Sequence, residues 1–346
     1  MASNVLLVKL SSMGDVVHSF PALSDAMQVG HRFDWVVEEA FADLAAQHPA
    51  VDRVIPFGLR RWRKQLATGL PALSHFIREL RALNYEQVLD AQGLLKSAFI
   101  TRATGAPVRM GLARKSAREG AASFFYNRAA QVSWDLHAID RLRELFAQSL
   151  GYSIDLAEPA QTRLSASPEA MRSAATVLVH GTTWPSKELP EVVWRGVIEN
   201  LLAANHQLVI LSGSAKEHEF AQQLAGAQAN VSAQAPGSLL SAYEQIRSAR
   251  LVIGVDSGLT HLAAVLGRPV VGLYGSTNEV RTGARGPNAI NLASGFACAP
   301  CLRRECSYTG PQQLLAGSPV VPACYAELDP DRVAAAAADL LAKASP

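Results

Sequence analysis

The sequence lacks any long apolar segment. No uninterrupted apolar run among its 346 residues reaches the roughly 18 residues that a membrane-spanning helix needs. The apolar start of the chain is broken at Lys9 and has neither a basic leading segment nor a cleavage site, so it predicts no signal peptide. We therefore expect a cytoplasmic protein.

An excess of charge of one sign is also missing. The chain has 32 Lys and Arg against 30 Asp and Glu, a net charge of +2 at pH 7, which argues against electrostatic binding of nucleic acid by the chain as a whole. Hydrophobic residues make up 49% and charged residues 18%, proportions that are ordinary for a globular protein and argue against a disordered chain. This length is sufficient for two domains, each with a sizeable core.

Cysteine is scarce, and its four instances lie near the C-terminal end, at Cys298, Cys301, Cys306 and Cys324. A cytoplasmic location argues against structural disulfides. Four thiolates would suffice to bind Zn or Fe, and the first two have the spacing of half a metal knuckle. The later gaps fit no standard zinc ribbon. Reduced thiols are therefore favoured over a bound structural metal.

Short apolar strands alternate with amphipathic helices along most of the chain. Such alternation is typical of an α/β fold in which helices cover both faces of a parallel sheet. The pattern loosens across residues 150–169, so we predict two doubly wound domains, residues 1–160 and 161–346. In the first domain, helices are expected over residues 40–47 and 73–83. The absence of a G-x-G-x-x-G motif after either candidate first strand argues against a dehydrogenase.

Residues 251–264, LVIGVDSGLTHLAA, are the most informative stretch. Five apolar or Gly residues predict a buried strand, and helical spacing begins at Gly258. The turn between them lies at the carboxyl edge of the sheet, where ligands bind. Amides at the helix start favour an anion such as a diphosphate, Gly258 permits its close approach, and His261 lies one turn into the helix. The alternative is that Asp256 and Ser257 only cap the helix.

Asp15 occupies a similar position after the first strand, at the start of a helix. The helix dipole and nearby amides favour its ionised form. An ionised Asp in a ligand site can accept a proton from an attacking hydroxyl. The alternative is a helix-start residue of purely local value.

Two more strand-to-helix turns carry groups that suit a nucleotide-sugar. Thr182, Thr183 and Lys187 follow the strand that ends at His180, and their hydroxyls and ammonium suit a diphosphate leaving group. Glu217, at a later helix start, suits the hydroxyls of a ribose. The alternatives are a solvated loop lysine and an ordinary first-turn acid.

A basic cluster surrounds Trp62, with the sequence LRRWRK over residues 59–64. It suits an acceptor that bears carboxylates or phosphates. It also suits docking at an anionic membrane surface with Trp62 at the level of the headgroups. Lys96 and Arg118 add positive charge in the same half of the chain. The alternative is a solvated basic helix face.

Together these motifs resemble those of the lipopolysaccharide heptosyltransferases, glycosyltransferase family 9. The resemblance covers nearly the whole chain, and its N-terminal motifs are similar to those of the enzymes that add the first heptose rather than the second. It is carried by KLSSMGDVVH (residues 9–18), FDWVVEE (33–39), RRWRK (60–64), DAQG (90–93), FYNR (125–128), RELFA (143–147) and DSG (256–258). The cysteine-bearing segment and Trp184-Pro185 depart from the pattern of the first enzyme.

The resemblance implies a GT-B architecture, in which two Rossmann-like domains face a cleft and a final helix returns toward the first domain. It implies inverting, metal-independent transfer of heptose from ADP-L-glycero-D-manno-heptose to Kdo of Kdo2-lipid A, with no cofactor. It also implies a peripheral location on the inner face of the cytoplasmic membrane.

The resemblance further implies roles for individual residues. Asp15 matches the general base, and Lys187 matches the lysine that meets the departing diphosphate. The donor-binding positions are Thr182, Thr183, Lys187, Glu217, Asp256, Ser257, Gly258 and His261. The acceptor-binding positions are Ser12, Gly14, Arg60, Arg61, Arg63, Lys64 and Arg118.

Three alternatives stay open at this point. The chain could be the second heptosyltransferase, which acts on heptosyl-Kdo2-lipid A. It could be a nucleotide-sugar 2-epimerase of the same fold, which would need no acceptor and no basic cluster. It could also be a two-lobed sugar-binding protein, although the absence of an export signal argues against that.

Overall fold

The computed structural model describes residues 4–64, 66–158, 162 and 174–344. The chain divides into two units, Met1–Ala166 and Ser167–Pro346. The predicted domain boundary, between residues 160 and 161, lies outside the described residues. Within the described ranges, no helix combines the length and the apolar character needed to cross a bilayer.

The first unit is a parallel sheet with helices. Its strands are β1 (Asn4–Val8), β2 (Arg32–Glu38), β3 (Val51–Phe57), β4 (Gln87–Asp90), β5 (Val108–Leu112) and β6 (Arg128–Ala130). Its helices are α1 (Met13–Gln28), α2 (Ala42–Ala45), α3 (Leu59–Lys64), α4 (Leu66–Ala82), α5 (Leu95–Ala103) and α6 (Ala138–Leu150). The residues Glu39–Phe41 and Gly120–Phe125 form 3-10 turns.

The strands of this sheet follow the order β3-β2-β1-β4-β5-β6, and every neighbouring pair is parallel. This is the order of doubly wound dinucleotide-binding folds. The order reverses between β1 and β4, and ligands bind outside the carboxyl ends of the strands at such a reversal. The residues that follow β1 and β4 are therefore the place to look for a site.

The second unit repeats this design. Its strands are β7 (Ala175–Val179), β8 (Gln207–Leu211), β9 (Val231–Ala233), β10 (Leu251–Val255), β11 (Val270–Tyr274), β12 (Ala289–Ala293), β13 (Leu314–Leu315) and β14 (Ser318–Pro319). Its helices are α7 (Glu191–Ala203), α8 (Ala215–Ala225), α9 (Leu239–Ser248), α10 (Gly258–Val265), α11 (Glu279–Thr282) and α12 (Pro330–Ala344). Pro185–Lys187 and Ala323–Glu327 are 3-10 turns.

The main sheet of the second unit has the order β12-β11-β10-β7-β8-β9 and is parallel throughout. If β7 is counted as the first strand of this unit, the strands follow the same order as in the first unit. The order reverses between β7 and β10. The short strands β13 and β14 form a separate antiparallel pair. The prediction of two doubly wound, Rossmann-like α/β units is confirmed.

Each unit has its own core. In the first, Leu6 and Val8 of β1 pack with Phe76 and Leu80 of α4. In the second, all five residues of β10 are buried, and Trp194 lies in the same unit's core. Helix α12 starts at Pro330 and packs against α7 and the strands of the second unit, contributing Val333, Ala336, Ala337 and Leu340 to its core.

Of two helix predictions in the first unit, one is wrong, and the other is confirmed except for its starting residue. Residues 40–47 form a 3-10 turn and the four-residue helix α2 instead of one helix. The helix expected over residues 73–83 begins earlier, at Leu66, although Pro71 lies inside it. Helices α3 and α4 pack closely, since a side chain at Gly69 would overlap the Trp62 carbonyl oxygen. This tertiary packing outweighs the local preference against proline in a helix.

Candidate active site

The turns after β7 and β10 bring three predicted residues together at the reversal of the second sheet. Lys187 Nζ lies 2.7 Å from Asp256 Oδ2, and His261 Nε2 lies 3.0 Å from Asp256 Oδ1. Lys187 belongs to the turn after β7, Asp256 follows β10, and His261 lies in α10. The three side chains are only 17%, 7% and 5% exposed. We call this group the Lys187–Asp256–His261 triad.

Asp256 does not act as a helix cap. The N-cap of α10 is Ser257, and the Asp256 carboxylate is engaged by Lys187 and His261 instead. Burial opposes the charge of Asp256, but the hydrogen bond and charge of His261, together with the Lys187 ammonium, hold its pKa well below the usual range. The carboxylate therefore stays ionised and fixes the Lys187 ammonium beside the start of α10.

Backbone and ring contacts outside the predicted residues hold Lys187 in place. The Tyr325 hydroxyl donates to the Lys187 carbonyl oxygen at 3.0 Å, and the Lys187 ammonium lies 4.7 Å from the centre of the Trp184 ring. The preceding residue, Ser186, donates through Oγ to the Arg303 carbonyl oxygen at 2.6 Å. These contacts span 138 and 117 residues of sequence, so no local pattern indicated them.

The other donor-site predictions lie at the same sheet edge. Thr182 Oγ1 donates to the Asp256 carbonyl oxygen at 3.2 Å, so its hydroxyl links the two turns. Thr183 is exposed, and Gly258 is the first residue of α10. Ser257 Oγ lies 3.2 Å from Thr260 Oγ1.

Glu217 lies in the first turn of α8, close to the turn that follows β7. Its Oε2 accepts a hydrogen bond from the Gly213 amide at 2.6 Å. A side chain at Gly181 would come within 2.8 Å of Oε2 and 3.1 Å of Oε1. The absence of a side chain at Gly181 therefore allows the Glu217 carboxylate to reach the end of β7.

In the first unit, Asp15 lies in the first turn of α1, after β1. Its Oδ2 accepts from the Ser12 amide at 2.8 Å and from Ser12 Oγ at 3.1 Å, and Lys9 Nζ lies 3.4 Å from Oδ1. The Asp15 side chain is 42% exposed, whereas that of Lys9 is 5% exposed. Gly14 precedes Asp15 in the same helical turn. The local helix-start role is real, yet the carboxylate remains accessible.

The Lys9 ammonium governs the charge of Asp15. The surrounding protein opposes ionisation of the carboxyl, but the charge of Lys9 and the hydrogen bonds from Ser12 outweigh this effect, so the pKa of Asp15 lies below its usual value. Lys9 Nζ also donates to the Ala91 carbonyl oxygen at 3.0 Å. Gln92 Oε1 accepts hydrogen bonds from the backbone amides of Leu10, at 3.0 Å, and Ser11, at 3.1 Å. The loops after β1 and β4 are thus joined at the reversal of the first sheet.

Acidic residues at the end of β2 hold two residues of the basic cluster. Arg60 Nε lies 2.7 Å from Glu38 Oε2, and Arg61 Nη2 lies 2.6 Å from Glu39 Oε1. A pocket of about 360 Å³ lies here, lined by Glu38, Glu39, Ala40, Phe57, Gly58, Arg60, Arg61 and Lys64. We call it the basic pocket.

Lys96 connects the basic pocket to the loop of Asp15. Its Nζ lies 3.7 Å from Glu38 Oε1 and donates to Ser11 Oγ at 3.1 Å. Arg63 and Arg118 are exposed, and within the described ranges no ion pair or hydrogen bond joins either side chain to this pocket.

The ring of Trp62, at the centre of the basic cluster, is partly buried. The centre of this ring lies 5.1 Å from that of Phe57 and 5.8 Å from that of Phe76, so it packs against the core of the first unit. An aromatic ring gains more from burial among other rings than from exposure at a surface.

The four cysteines have free thiols. Burial raises the pKa of the Cys324 thiol to about 12, with a contribution from the other three cysteines. Within the part of the chain that the structure describes, no three His, Cys, Asp or Glu side chains are grouped so as to hold a metal ion.

Known proteins of one family resemble this chain in sequence and in fold. The sequence model of glycosyltransferase family 9 (heptosyltransferase) matches residues 73–311. Lipopolysaccharide heptosyltransferase 1 of Pseudomonas aeruginosa is 43% identical over 342 residues, which are 95% of this chain and 96% of that protein. The solved structure of E. coli heptosyltransferase WaaC with ADP matches with a TM-score of 0.78 at 40% identity, over 84% of this chain and 93% of that one.

The likeness to the second heptosyltransferase is narrower. Lipopolysaccharide heptosyltransferase 2 of Escherichia coli K12 is 33% identical over 121 residues, only 32% of this chain and 34% of that protein. The first heptosyltransferase is therefore the closer match in both extent and identity. By sequence and by fold, the chain belongs to glycosyltransferase family 9 and is a glycosyltransferase, as its motifs predict.

Proposed function

We propose that this chain transfers L-glycero-D-manno-heptose from ADP-heptose to a Kdo hydroxyl of Kdo2-lipid A. The observation that carries the proposal is the Lys187 ammonium, fixed by Asp256 at the reversal of the second sheet and beside the start of α10. A positioned cation next to unpaired helix amides suits a diphosphate. The relatives named heptosyltransferase 1, and the related structure with ADP, support this assignment.

On the donor side, we assign Lys187 and the first amides of α10 to the diphosphate. As the bond to the sugar breaks, negative charge grows on the departing ADP, and donors already in position stabilise that charge without rearranging. The Lys187 ammonium has three donor hydrogens, so its contact with Asp256 leaves hydrogens for phosphate oxygens. The triad thus supplies a fixed hydrogen-bond donor.

On the acceptor side, we assign Asp15 as the general base. The hydroxyl oxygen of the acceptor bonds to the anomeric carbon while the bond from that carbon to the phosphate oxygen breaks, and the hydroxyl proton passes to Asp15. Attack from the face opposite the departing ADP inverts the configuration. Because its pKa is lowered, Asp15 is ionised and ready to take a proton throughout the neutral range.

We assign the basic pocket, with Ser12, Gly14, Arg63 and Arg118, to the anionic acceptor. Guanidinium groups bind carboxylates and phosphates through paired hydrogen bonds. Glu38 and Glu39 hold Arg60 and Arg61 in defined positions. Since the acceptor is a lipid, we propose that the enzyme works at the inner face of the cytoplasmic membrane, with the exposed cations of α3 toward anionic headgroups.

The test is transfer of heptose to Kdo2-lipid A, with the product measured by mass. Asp15→Asn should fold and bind ADP as the unaltered protein does, yet lose turnover by about 10²- to 10⁴-fold, the usual contribution of a general base. Asp43→Asn, the same change at an exposed residue of α2, is the matched control and should leave turnover unchanged.

Other results would reject specific parts of the proposal. Full turnover in Asp15→Asn would remove Asp15 from the mechanism. Conversion of the donor without any acceptor would favour the epimerase. Transfer only to heptosyl-Kdo2-lipid A would make the chain the second heptosyltransferase, which the narrower likeness disfavours.

A further inference from the structure

Three large apolar side chains of the first unit are exposed on α5 and on the 3-10 turn Gly120–Phe125. Leu95 and Phe99 of α5 are 46% and 49% exposed, and Phe124 of the turn is 75% exposed. A single exposed apolar residue is normal on a protein surface, whereas a group of neighbouring ones indicates an interaction site. These side chains therefore matter only if they belong to one surface.

Direct contacts join α5 to the 3-10 turn. Leu95 and Phe99 are four positions apart, so they lie on the same face of α5. On another face of the helix, Ala98 belongs to the same buried cluster as Ala122 of the turn. Just before the turn, Glu119 Oε2 accepts a hydrogen bond from the Leu95 amide at 2.6 Å. The helix and the turn thus form one continuous surface.

Cations surround these apolar side chains. Arg102 is exposed on α5, and the Arg114 guanidinium lies 5.9 Å from the centre of the Phe124 ring. Residues 95–135 contain seven Lys and Arg but only two Asp and Glu, in a chain whose total charge is only +2. We call the group the aromatic–basic surface and define it by five residues, Leu95, Phe99, Arg102, Arg114 and Phe124.

Lys96 connects the aromatic–basic surface to the basic pocket. It directly follows Leu95, its ammonium lies 3.7 Å from Glu38 Oε1, and it donates to Ser11 Oγ at 3.1 Å. Glu38 in turn holds Arg60 of the basic pocket. The exposed apolar side chains therefore lie beside the pocket that we assign to the acceptor, within the same unit.

Charge and position indicate what covers this surface. Aromatic and aliphatic side chains among cations suit an anionic bilayer, because the apolar groups enter the headgroup region while the cations meet lipid phosphates. A second copy of the chain would bring cations against cations across a two-fold interface, which opposes self-association. The acceptor that we assign to the neighbouring pocket is a lipid, so a bilayer lies close by when the enzyme works.

We propose that the aromatic–basic surface docks on the anionic bilayer, with Phe99 and Phe124 at the level of the headgroups and Arg102 and Arg114 on lipid phosphates. The inference rests on the proposed function for its lipid acceptor, but it does not require transfer of heptose. Docking through this surface holds the adjoining basic pocket at the membrane, where the sugars of the acceptor begin.

Flotation of the full chain with vesicles that contain no acceptor tests this inference. Vesicles of phosphatidylcholine alone are compared with vesicles that also contain phosphatidylglycerol. The unaltered protein should float with the anionic vesicles, and added salt should release it. Phe99→Ser combined with Phe124→Ser should weaken this binding by roughly tenfold or more, since two apolar side chains no longer leave water.

The matched control is Val29→Ser combined with Leu83→Ser. These apolar residues are 53% and 40% exposed in the same unit, and they precede β2 and β4, at the amino ends of the strands. This double variant should bind anionic vesicles as the unaltered protein does. An equal loss in both double variants would mean that exposed apolar residues in general, and not this surface, cause the binding.

A second pair of variants tests the cations separately. Arg102→Gln combined with Arg114→Gln should weaken binding to anionic vesicles and reduce its dependence on salt. Arg332→Gln combined with Lys343→Gln removes the same charge from exposed positions of α12 and should have no effect. If the phenylalanine variants do not fold, as judged by circular dichroism, the arginine variants decide the question.

Kinetics separate docking from recognition of the acceptor. The KM is measured with Kdo2-lipid A in anionic vesicles and with its deacylated, water-soluble form. The phenylalanine variants should raise the first KM and leave the second unchanged, because a soluble acceptor needs no bilayer. An equal rise in both would assign the surface to the sugar of the acceptor and overturn the inference.

Two further results would overturn the inference, and both differ from failure of the proposed function. One is a lack of binding of the unaltered protein to anionic vesicles. The other is vesicle binding that persists in the phenylalanine variants while self-association, measured by light scattering, is lost, since the surface would then be a protein interface. Transfer to the soluble acceptor would leave the proposed function standing in either case. Vesicle binding without any transfer would reject the proposed function alone.

Discussion

Lys9 and Asp256 hold, by opposite charge, the two residues that we assign to catalysis. Lys9 keeps Asp15 ionised, and Asp256 fixes the Lys187 ammonium. Lys187 and Asp256 are both largely buried, so removing one of them leaves an uncompensated charge, which costs about 3–5 kcal/mol, whereas Asp15 is 42% exposed and water screens its pair with Lys9. The consequence differs between the two pairs. Loss of Lys9 changes the protonation of Asp15, while loss of Asp256 changes the position of Lys187.

Lys9→Met tests the first pair. Burial of Asp15 raises its pKa, and the charge of Lys9 lowers it. With the ammonium gone, the effect of burial is less strongly countered, so the pKa of Asp15 should rise. A base is active only when deprotonated, so the acid limb of the profile of kcat/KM against pH should move to higher pH. Activity near pH 7 should fall less than in Asp15→Asn, because part of the carboxyl population stays ionised.

The control for this pH profile is Lys115→Met. Lys115 is an exposed residue of the first unit and has no ion pair or hydrogen bond to Asp15 among the described contacts. Its acid limb should coincide with that of the unaltered enzyme. An acid limb that stays in place in Lys9→Met would show that Asp15 does not set it.

At the scale of elements, the strand and helix over residues 251–264 were predictable because their signals are local. β10 is apolar because it is buried on both faces, and the change to helical spacing at Gly258 marks the start of α10. The contacts that hold Lys187 were not predictable, since the hydroxyls of Tyr325 and Ser186 donate to backbone carbonyl oxygens that are distant in sequence and are brought near by the fold. Similarly, the pairing of Arg60 with Glu38 depends on how α3 packs against the end of β2.

The packing of β10 against α10 and β7 leads to a prediction for Gly254. A Cβ at this position would lie 2.9 Å from the Val179 Cβ and still closer to Thr260 Oγ1. Gly254→Ala should therefore lower the free energy of unfolding by about 1–3 kcal/mol, as is usual when a packed core is overfilled. Urea denaturation measures this change.

Gly295→Ala is the matched control for the urea experiment. The nearest atom to an added Cβ there is Glu327 Oε2 at 3.3 Å, at the end of a flexible side chain that can move away. Its unfolding midpoint should stay close to that of the unaltered protein. Equal unfolding midpoints for both variants would mean that β10 and its neighbours can move apart to accept a methyl group without loss of stability, contrary to the close packing at Gly254.

At the scale of the whole molecule, each unit has the same strand order and carries its candidate site after its first and fourth strands. Asp15 and Lys9 belong to the reversal of the first sheet, and the Lys187–Asp256–His261 triad belongs to that of the second. The total charge is nearly balanced, at +2 at pH 7, but α3 contains a local concentration of cations. Composition therefore predicted the absence of general affinity for nucleic acid, whereas only the local sequence indicated an anionic acceptor.

This division of residues between the units predicts separable effects on the two substrates. Replacing Arg60, Arg61 and Arg63 together by Ala removes three cations from the proposed acceptor site and none from the proposed donor site. The KM for Kdo2-lipid A should rise by roughly tenfold or more, because the charge-assisted hydrogen bonds to the anionic groups of the acceptor are lost. The Kd for ADP should stay unchanged.

Lys187→Met supplies the converse measurement, because it removes the cation of the proposed donor site and leaves α3 intact. It should weaken ADP binding and slow turnover while the KM for the acceptor stays near its original value. Raising the salt concentration should weaken acceptor use in the unaltered enzyme more than in the triple variant, since exposed charges are screened. Parallel loss of ADP affinity in the triple variant would contradict the assignment of the acceptor to the first unit and the donor to the second.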